Sequence, residues 1–271
     1  RGHTGCPALH RMSSFLPHCR GITLWNSSRK GGKLFISRVP LNGARRAALE
    51  VMTSPNKMHG AVEAAFAPVP DCDFLSACQS GQDFAEGRIL WRIDRALDGG
   101  RAAWLYVVSP KRPDFTHLCE QMGWPVEGGW ETKDYEPFLK KIGEGQRWQF
   151  RLKANPVRKV FVDKSSRSDK DVIGTIQGHV TVEQQMQWLL DRAEAHGFRI
   201  LEDPLGNLQF QVGQREKSSF SHAGSRATLT TAVFDGALEV IDREALCHVL
   251  RFGMGRAKAF GCGLMTLAPL S

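Results

Sequence analysis

No run in this 271-residue sequence approaches the roughly 18 consecutive apolar residues that a bilayer crossing needs, so no membrane span or membrane partner is expected. The seven cysteines (Cys6, Cys19, Cys72, Cys78, Cys119, Cys247 and Cys262) are odd in number and contain no C-x-x-C pair. That spacing supports neither a zinc site nor a disulfide framework, and a reducing cytoplasm is the expected compartment. H-E-x-x-H, Gly-Lys-Ser/Thr and paired-carboxylate signatures are all missing, so no metal site and no cofactor is expected. Tyrosine is scarce, with only Tyr106 and Tyr135.

Acidic residues are missing from positions 1–33, where Arg1, Arg11, Arg20, Arg29, Lys30 and Lys33 stand unopposed. The formal charge of +8 therefore misleads. Without those six, 30 Lys and Arg face 28 Asp and Glu, a net +2, so local clustering must carry any argument about polyanions. Residues 1–33 mix Gly, Ser, Pro and His without a sustained period and lack the apolar core of a secretory signal. They read as an extension outside the fold, expected to be disordered; a basic RNA-binding arm is the alternative.

What is present is an ordinary apolar share of 42%, enough for two halves that each bury a core. Leu34–Leu41 alternates and meets Asn42-Gly43, a strand and turn. Ser54 and Pro55 suit the N-cap and first position of a helix whose Met58, Ala61, Val62, Ala65 and Phe66 form an apolar stripe, stopped by Pro68 and Pro70. Strands are expected at Arg88–Ile93 and Ala103–Val108 around the Asp98-Gly99-Gly100 turn, then a helix to Met122 and a strand near Trp130–Tyr135. Further on, Gln146–Lys153 alternates, Thr181-x-x-Gln184 is a capping box, and its helix ends at Gly197. Extended chain at Phe198–Leu201, Leu208–Val212 and Ala227–Val240 follows, then a helix capped by Asp242 and a strand at Gly263–Ala268. The order predicts an α+β fold of two tandem ferredoxin-like (βαββαβ, RRM-like) domains, over 34–144 and 145–271.

Three constellations could carry chemistry. Arg151, Lys153, Arg158, Lys159, Lys164, Arg167 and Lys170 face only Asp163 and Asp169, giving +5 over twenty residues. This is either a phosphate grip, favoured by counterion release, or a solvated loop. Gly253–Gly263, with Arg256 and Lys258, is either an anion-binding nest or a tight helix-to-strand connection. His59 lies at the flank of its helix stripe, near the positive end of the helix dipole. It is either an available neutral base or an ordinary half-buried histidine; His117, His196 and His248 fall on predicted helices and read as structural.

Residues 33–66, with F-I-S-R-V-P-L and S-P-N-K-M-H-G-A-V-E-A-A-F, the R-L-K-A-N-P of Arg151–Pro156, and G-M-G-R-A-K-A-F-G-C-G-L-M-T-L-A-P of Gly253–Pro269 resemble CasE. That family, within the RAMP superfamily, is the CRISPR repeat-processing endoribonuclease of Cascade. The resemblance spans 34–271. It implies two ferredoxin-like domains that bind a CRISPR repeat hairpin, cut at the 3′ base of the stem without metal, and stay on the mature crRNA beside other Cascade subunits. It implies His59 as the catalytic residue, with Asn56 standing where the family often has a tyrosine. Asn56 can hydrogen-bond a phosphate but cannot titrate, and Lys57 beside it could add charge. A non-catalytic hairpin-capping subunit of the same complex is the alternative. A third reading is an unrelated enzyme on small phosphorylated substrates. Whether Arg215, Lys217 and Arg226 form a hairpin that enters the RNA groove stays open.

Overall fold

The computed structural model describes residues 33–66, 87–96, 101–124, 129–160, 175–222 and 225–270. Positions 1–32, the Pro68/Pro70 stop, the Asp98–Gly100 turn, Lys164, Arg167 and Lys170 lie outside the described residues. Among those described, no helix is long and apolar enough to cross a membrane.

β1 (Phe35–Asn42) runs into α1 (Arg46–Met52) and α2 (Pro55–Glu63); β2 (Leu90–Arg95), β3 (Ala102–Ser109), α3 (Thr116–Met122) and β4 (Glu131–Asp134) follow. The sheet is antiparallel in the order β2-β3-β1-β4, the ferredoxin-like arrangement. α2 forms where the sequence placed it: the Ser54 hydroxyl accepts from Lys57 N, Pro55 opens the first turn, and Met58 and Val62 are buried. They pack with Val39, Leu41, Leu105 and Val107 of the sheet and with Phe115 and Leu118.

After α4 (Glu136–Leu139) the pattern repeats. β5 (Arg147–Ala154) leads through the β6 (Val157–Val160)/β7 (Thr175–Gly178) hairpin to α5 (Val182–Ala193). β8 (Phe198–Ile200), β9 (Phe210–His222), β10 (Ser225–Val240), α6 (Arg243–Phe252) and β11 (Met265–Pro269) complete it. The second sheet is ordered β11-β5-β10-β8, with β9 also on β10, so both sheets share one topology and the tandem ferredoxin-like expectation holds. Both arms of the Thr181/Gln184 capping box form, and Asp242 caps α6 through Ala245 N at 3.0 Å.

Four elements depart from the expected pattern. α1 has no side-chain cap, and β6 and β7 lie in what read as polar loop. β9 runs well past Val212: with β10 it forms a long two-stranded arm in which Gln214 to Lys217 of β9 are all exposed, so that stretch shows no period-two signal. The register of the arm shifts between Thr231 and Val233, opposite Gln214 at φ 43, a bulge that bends it.

Beside that cluster of the first half, a second one is shared by the two halves: it runs from Leu34, Leu90, Tyr106 and Val108 through Tyr135, Leu139 and Ile142 into Phe150, Leu152, Leu246 and Leu250. The junction is fastened by Arg251, whose guanidinium is bidentate to Glu136 at 2.7 and 2.8 Å, and by Arg243 donating to Ile142 O.

Arg92 of β2, 2% exposed, joins the sheets directly. Nε and Nη2 grip the Asp94 carboxylate at 2.7 and 2.9 Å. Nη1 donates to Arg151 O and Leu264 O, and Nη2 to Thr266 Oγ1. Replacing Arg92 by Ala leaves Asp94 buried beside unpaired carbonyls, and urea unfolding is expected to show a loss of about 3–5 kcal/mol. Adding Asp94→Asn, which removes the orphaned charge, recovers part of that loss.

Candidate active site and nucleic-acid interface

His59 is the fifth residue of α2, and the helix stripe turns it to the edge of the core, where its side chain is 28% exposed. Its Nε2 lies 3.3 Å from Glu63 Oε1, one helical turn on. Its ring meets the edge of Phe260 at a centroid distance of 6.0 Å, and Phe260 meets Phe220 of β9 at 4.9 Å. The histidine thus sits at a seam: α2 comes from the first half, and Phe260, with Phe220 behind it, comes from the second. Asn56, half-buried, precedes His59 by three residues on the same face. Beside His59 the surface is open, since a Cβ on Gly60 would meet nothing within 4 Å.

Phe260 is delivered by the glycine-rich segment. It ends a 3-10 turn, Lys258–Phe260, between Ala257 at φ 60 and Gly261 at φ 79. Trp91 Nε1 donates to Ala259 O at 3.1 Å, and the indole packs so closely that a Cβ on Gly261 would stand 2.5 Å from its ring. The N–H groups of Gly253, Met254, Phe260, Gly261 and Gly263 all have carbonyl partners inside the protein. Those five N–H groups are therefore taken up by the tight helix-to-strand connection and are not offered to an anion. Burial pushes the Cys262 thiol within it up to about 12, which leaves that cysteine unreactive at neutral pH.

The expected cations divide into groups. Arg256 is exposed on the glycine-rich turn and Lys258 is half-buried there. Lys57 is paired with Glu50 of α1, and Lys153 lies 3.7 Å from Glu216 of the projecting arm. Arg158 and Lys159 are exposed on β6, whose hairpin partner Gly178 packs on Thr230 of β10. Arg151 instead turns into a cleft of about 850 Å³ between the open faces of the two sheets, lined also by Trp104, Tyr106, Gln149, Phe210 and Asp235. Burial works against its charge, but its hydrogen bond to Asp235 at 2.5 Å and the nearby Asp94 outweigh that and raise its pKa above the usual arginine value. Of the arm residues, Arg215 donates to Gln185 Oε1 and Val180 O, Lys217 is exposed, and Arg226 lies on β10. Among the described residues no group of three or more His, Cys, Asp or Glu could hold a metal ion.

Sequence reading singled out His59 and Asn56 but missed Glu63, Phe220 and Phe260 as their neighbours. The i,i+4 spacing of His59 and Glu63 was a usable signal; the aromatic contacts, 201 residues apart in one case, were not.

A family model described as CRISPR associated protein matches residues 34–269. The chain belongs to this family. CRISPR-associated endoribonuclease Cse3 of Thermus thermophilus is 29% identical to it over 242 residues, 87% of this chain and 100% of that protein. CRISPR system Cascade subunit CasE of Escherichia coli is 32% identical over 122 residues, 45% of this chain and 57% of that protein. A solved structure of Thermus thermophilus Cse3 bound to an RNA representing a pre-cleavage complex aligns with a TM-score of 0.66 at 27% identity, covering 88% of this chain and all of that one. The resemblance to CasE read from the motifs is thus borne out.

Gly261→Ala adds a methyl group against Trp91 at a left-handed φ. It should cost about 1–3 kcal/mol in urea unfolding and detach Phe260 from His59.

Proposed function

We propose that this protein is a metal-independent endoribonuclease of the cytoplasm. It cuts CRISPR precursor RNA at the 3′ base of the repeat hairpin and stays on the mature guide RNA as a subunit of Cascade. The observation that carries the reading is His59. It is a half-buried imidazole beside an open surface, at the seam where a basic turn and a projecting arm from the second half meet the helix of the first. A relative that matches 87% of this chain is named as a CRISPR-associated endoribonuclease, and a related structure holds an RNA.

The reaction asks little of the protein. The 2′-oxygen attacks the adjacent phosphorus, the bond to the 5′-oxygen breaks, and one proton passes from the first oxygen to the second, leaving a 2′,3′-cyclic phosphate. His59 can carry that proton, because an imidazole exchanges it near neutral pH. Asn56, as a neutral donor, is placed to hold a phosphate oxygen, and Arg256, Lys258 and Lys57 supply positive charge to the developing dianion. Arg158 and Lys159, with Lys164, Arg167 and Lys170 of the same run and Lys153 before it, form the basic tract assigned to backbone contacts; Arg151, matched by Asp235 in the cleft, drops out of it. RNA stems are gripped largely by shape and phosphate, so such a tract needs no base-specific code.

Asn56 favours a second reading, a subunit that caps the hairpin without cutting, since no tyrosine stands on α2 to share the proton transfer.

Both readings meet in one assay. Purified protein with a labelled repeat hairpin in EDTA should cut once per repeat and leave a cyclic phosphate. His59→Ala should bind with unchanged affinity and cut about two to four orders of magnitude more slowly. Unimpaired cutting by His59→Ala removes the histidine from the chemistry; binding without wild-type cutting leaves the capping subunit. Arg158→Glu with Lys159→Glu should weaken binding and lower the slope of log affinity against log salt by roughly two.

A further inference from the structure

His59 has one neighbour that decides which of its nitrogens can work. Its Nε2 stands 3.3 Å from Glu63 Oε1, with the carboxylate 20% exposed at the last position of α2. The helix gives no reason for an acid there, because its C-terminal end carries the negative pole and disfavours one. The histidine supplies the reason: residues four apart face each other across one turn. The Phe260 ring, edge-on at 6.0 Å and 68°, limits rotation of the imidazole from the other side.

We propose that Glu63 is the positioning residue of this site. Its carboxylate accepts the Nε2–H of His59, fixes that tautomer, and leaves Nδ1 as the nitrogen that exchanges a proton with RNA. A neutral imidazole has one donor and one acceptor nitrogen, so a carboxylate on Nε2 assigns the proton to Nε2 and the lone pair to Nδ1. This inference rests on the endoribonuclease reading and deepens it. Nδ1 takes the 2′-hydroxyl proton as the new P–O bond forms. The resulting imidazolium is balanced by Glu63, and the same proton goes to the 5′-oxygen as its bond to phosphorus breaks. Glu63 acts through His59 and not on the RNA, because its carboxylate is already engaged with the imidazole. With Asn56 unable to titrate, a single imidazole carries the proton, and a fixed tautomer matters more than in a two-residue site.

The test uses the full chain with Glu63→Ala and Glu63→Gln, read three ways: single-turnover cleavage of the repeat hairpin, hairpin affinity, and the ¹⁵N shifts of the His59 ring without RNA. Glu63→Ala should slow cleavage roughly ten- to a hundredfold at unchanged affinity, the usual effect of removing the partner that orients a working imidazole. Glu63→Gln, which keeps an acceptor oxygen, should recover part of the rate. The ring shifts should show the Nε2–H tautomer in the wild type and a mixture in Glu63→Ala. Wild-type cleavage by Glu63→Ala beside an inactive His59→Ala overturns the proposal and leaves the endoribonuclease reading intact, as does an Nδ1–H tautomer in the wild type. If the wild type does not cut, the endoribonuclease reading fails, and the ring shifts still decide whether Glu63 holds His59.

Discussion

Everything at the seam depends on the Arg92 guanidinium. A buried arginine is tolerable only when its charge is matched and its donors are filled, and Arg92 meets both conditions through Asp94, two main-chain carbonyls and Thr266. Three of those partners belong to the second half of the chain, so the charge cannot be satisfied unless the two sheets are docked in one way. Hydrophobic contacts such as Leu34 and Leu90 against the second core supply most of the attraction, but they tolerate sliding. The planar fork of an arginine does not. The same strand carries Trp91, which seats the glycine-rich turn and with it Phe260. β2 thus uses adjacent residues to fix the sheets and to place the neighbour of His59.

This division sorts the positive charge by role. Arg92, Arg151 and Arg251 are matched inside the protein by Asp94, Asp235 and Glu136, and they hold the structure together. Exposed cations, Arg158 and Arg256 among them, add little stability but can release counterions from an RNA backbone. Summing charge along the chain cannot tell these groups apart. Arg151 and Arg158 belong to one basic run in the sequence, yet one faces a carboxylate in a cleft and the other faces water.

The sequence was legible where the physics is local. Ser54 and Pro55, Thr181 and Gln184, and Asp242 each announce a helix start, because the cap lies within three residues of the donor it satisfies. Alternation announces β1 and β5, each half-buried, while β3 is an apolar run announced by the turn residues before it. α1 was missed because it begins without a cap, and the outer part of β9 because successive side chains from Gln214 to Lys217 are exposed on both faces. The candidate site splits the same way. His59 was visible through its helix stripe and the family motif, and Glu63 was within reach of a spacing argument. Phe220, Phe260 and Trp91 were not, since their meeting is set by the docking of two sheets far apart in sequence.

That docking also bears on why binding and cutting would need the whole chain. The imidazole lies on a helix of the first half. The projecting arm, the basic hairpin and the turn that carries Arg256 and Phe260 belong to the second. On the proposed reading, an RNA held by the second half would reach His59 only in the register that the Arg92 network imposes. In-line phosphate chemistry is sensitive to displacements on the order of 1 Å, with losses of about a hundredfold. A substitution that loosens the sheets without touching RNA or histidine should therefore lower the cleavage rate before it lowers affinity. On the proposed reading, Arg92 and Trp91 would set that rate by geometry alone.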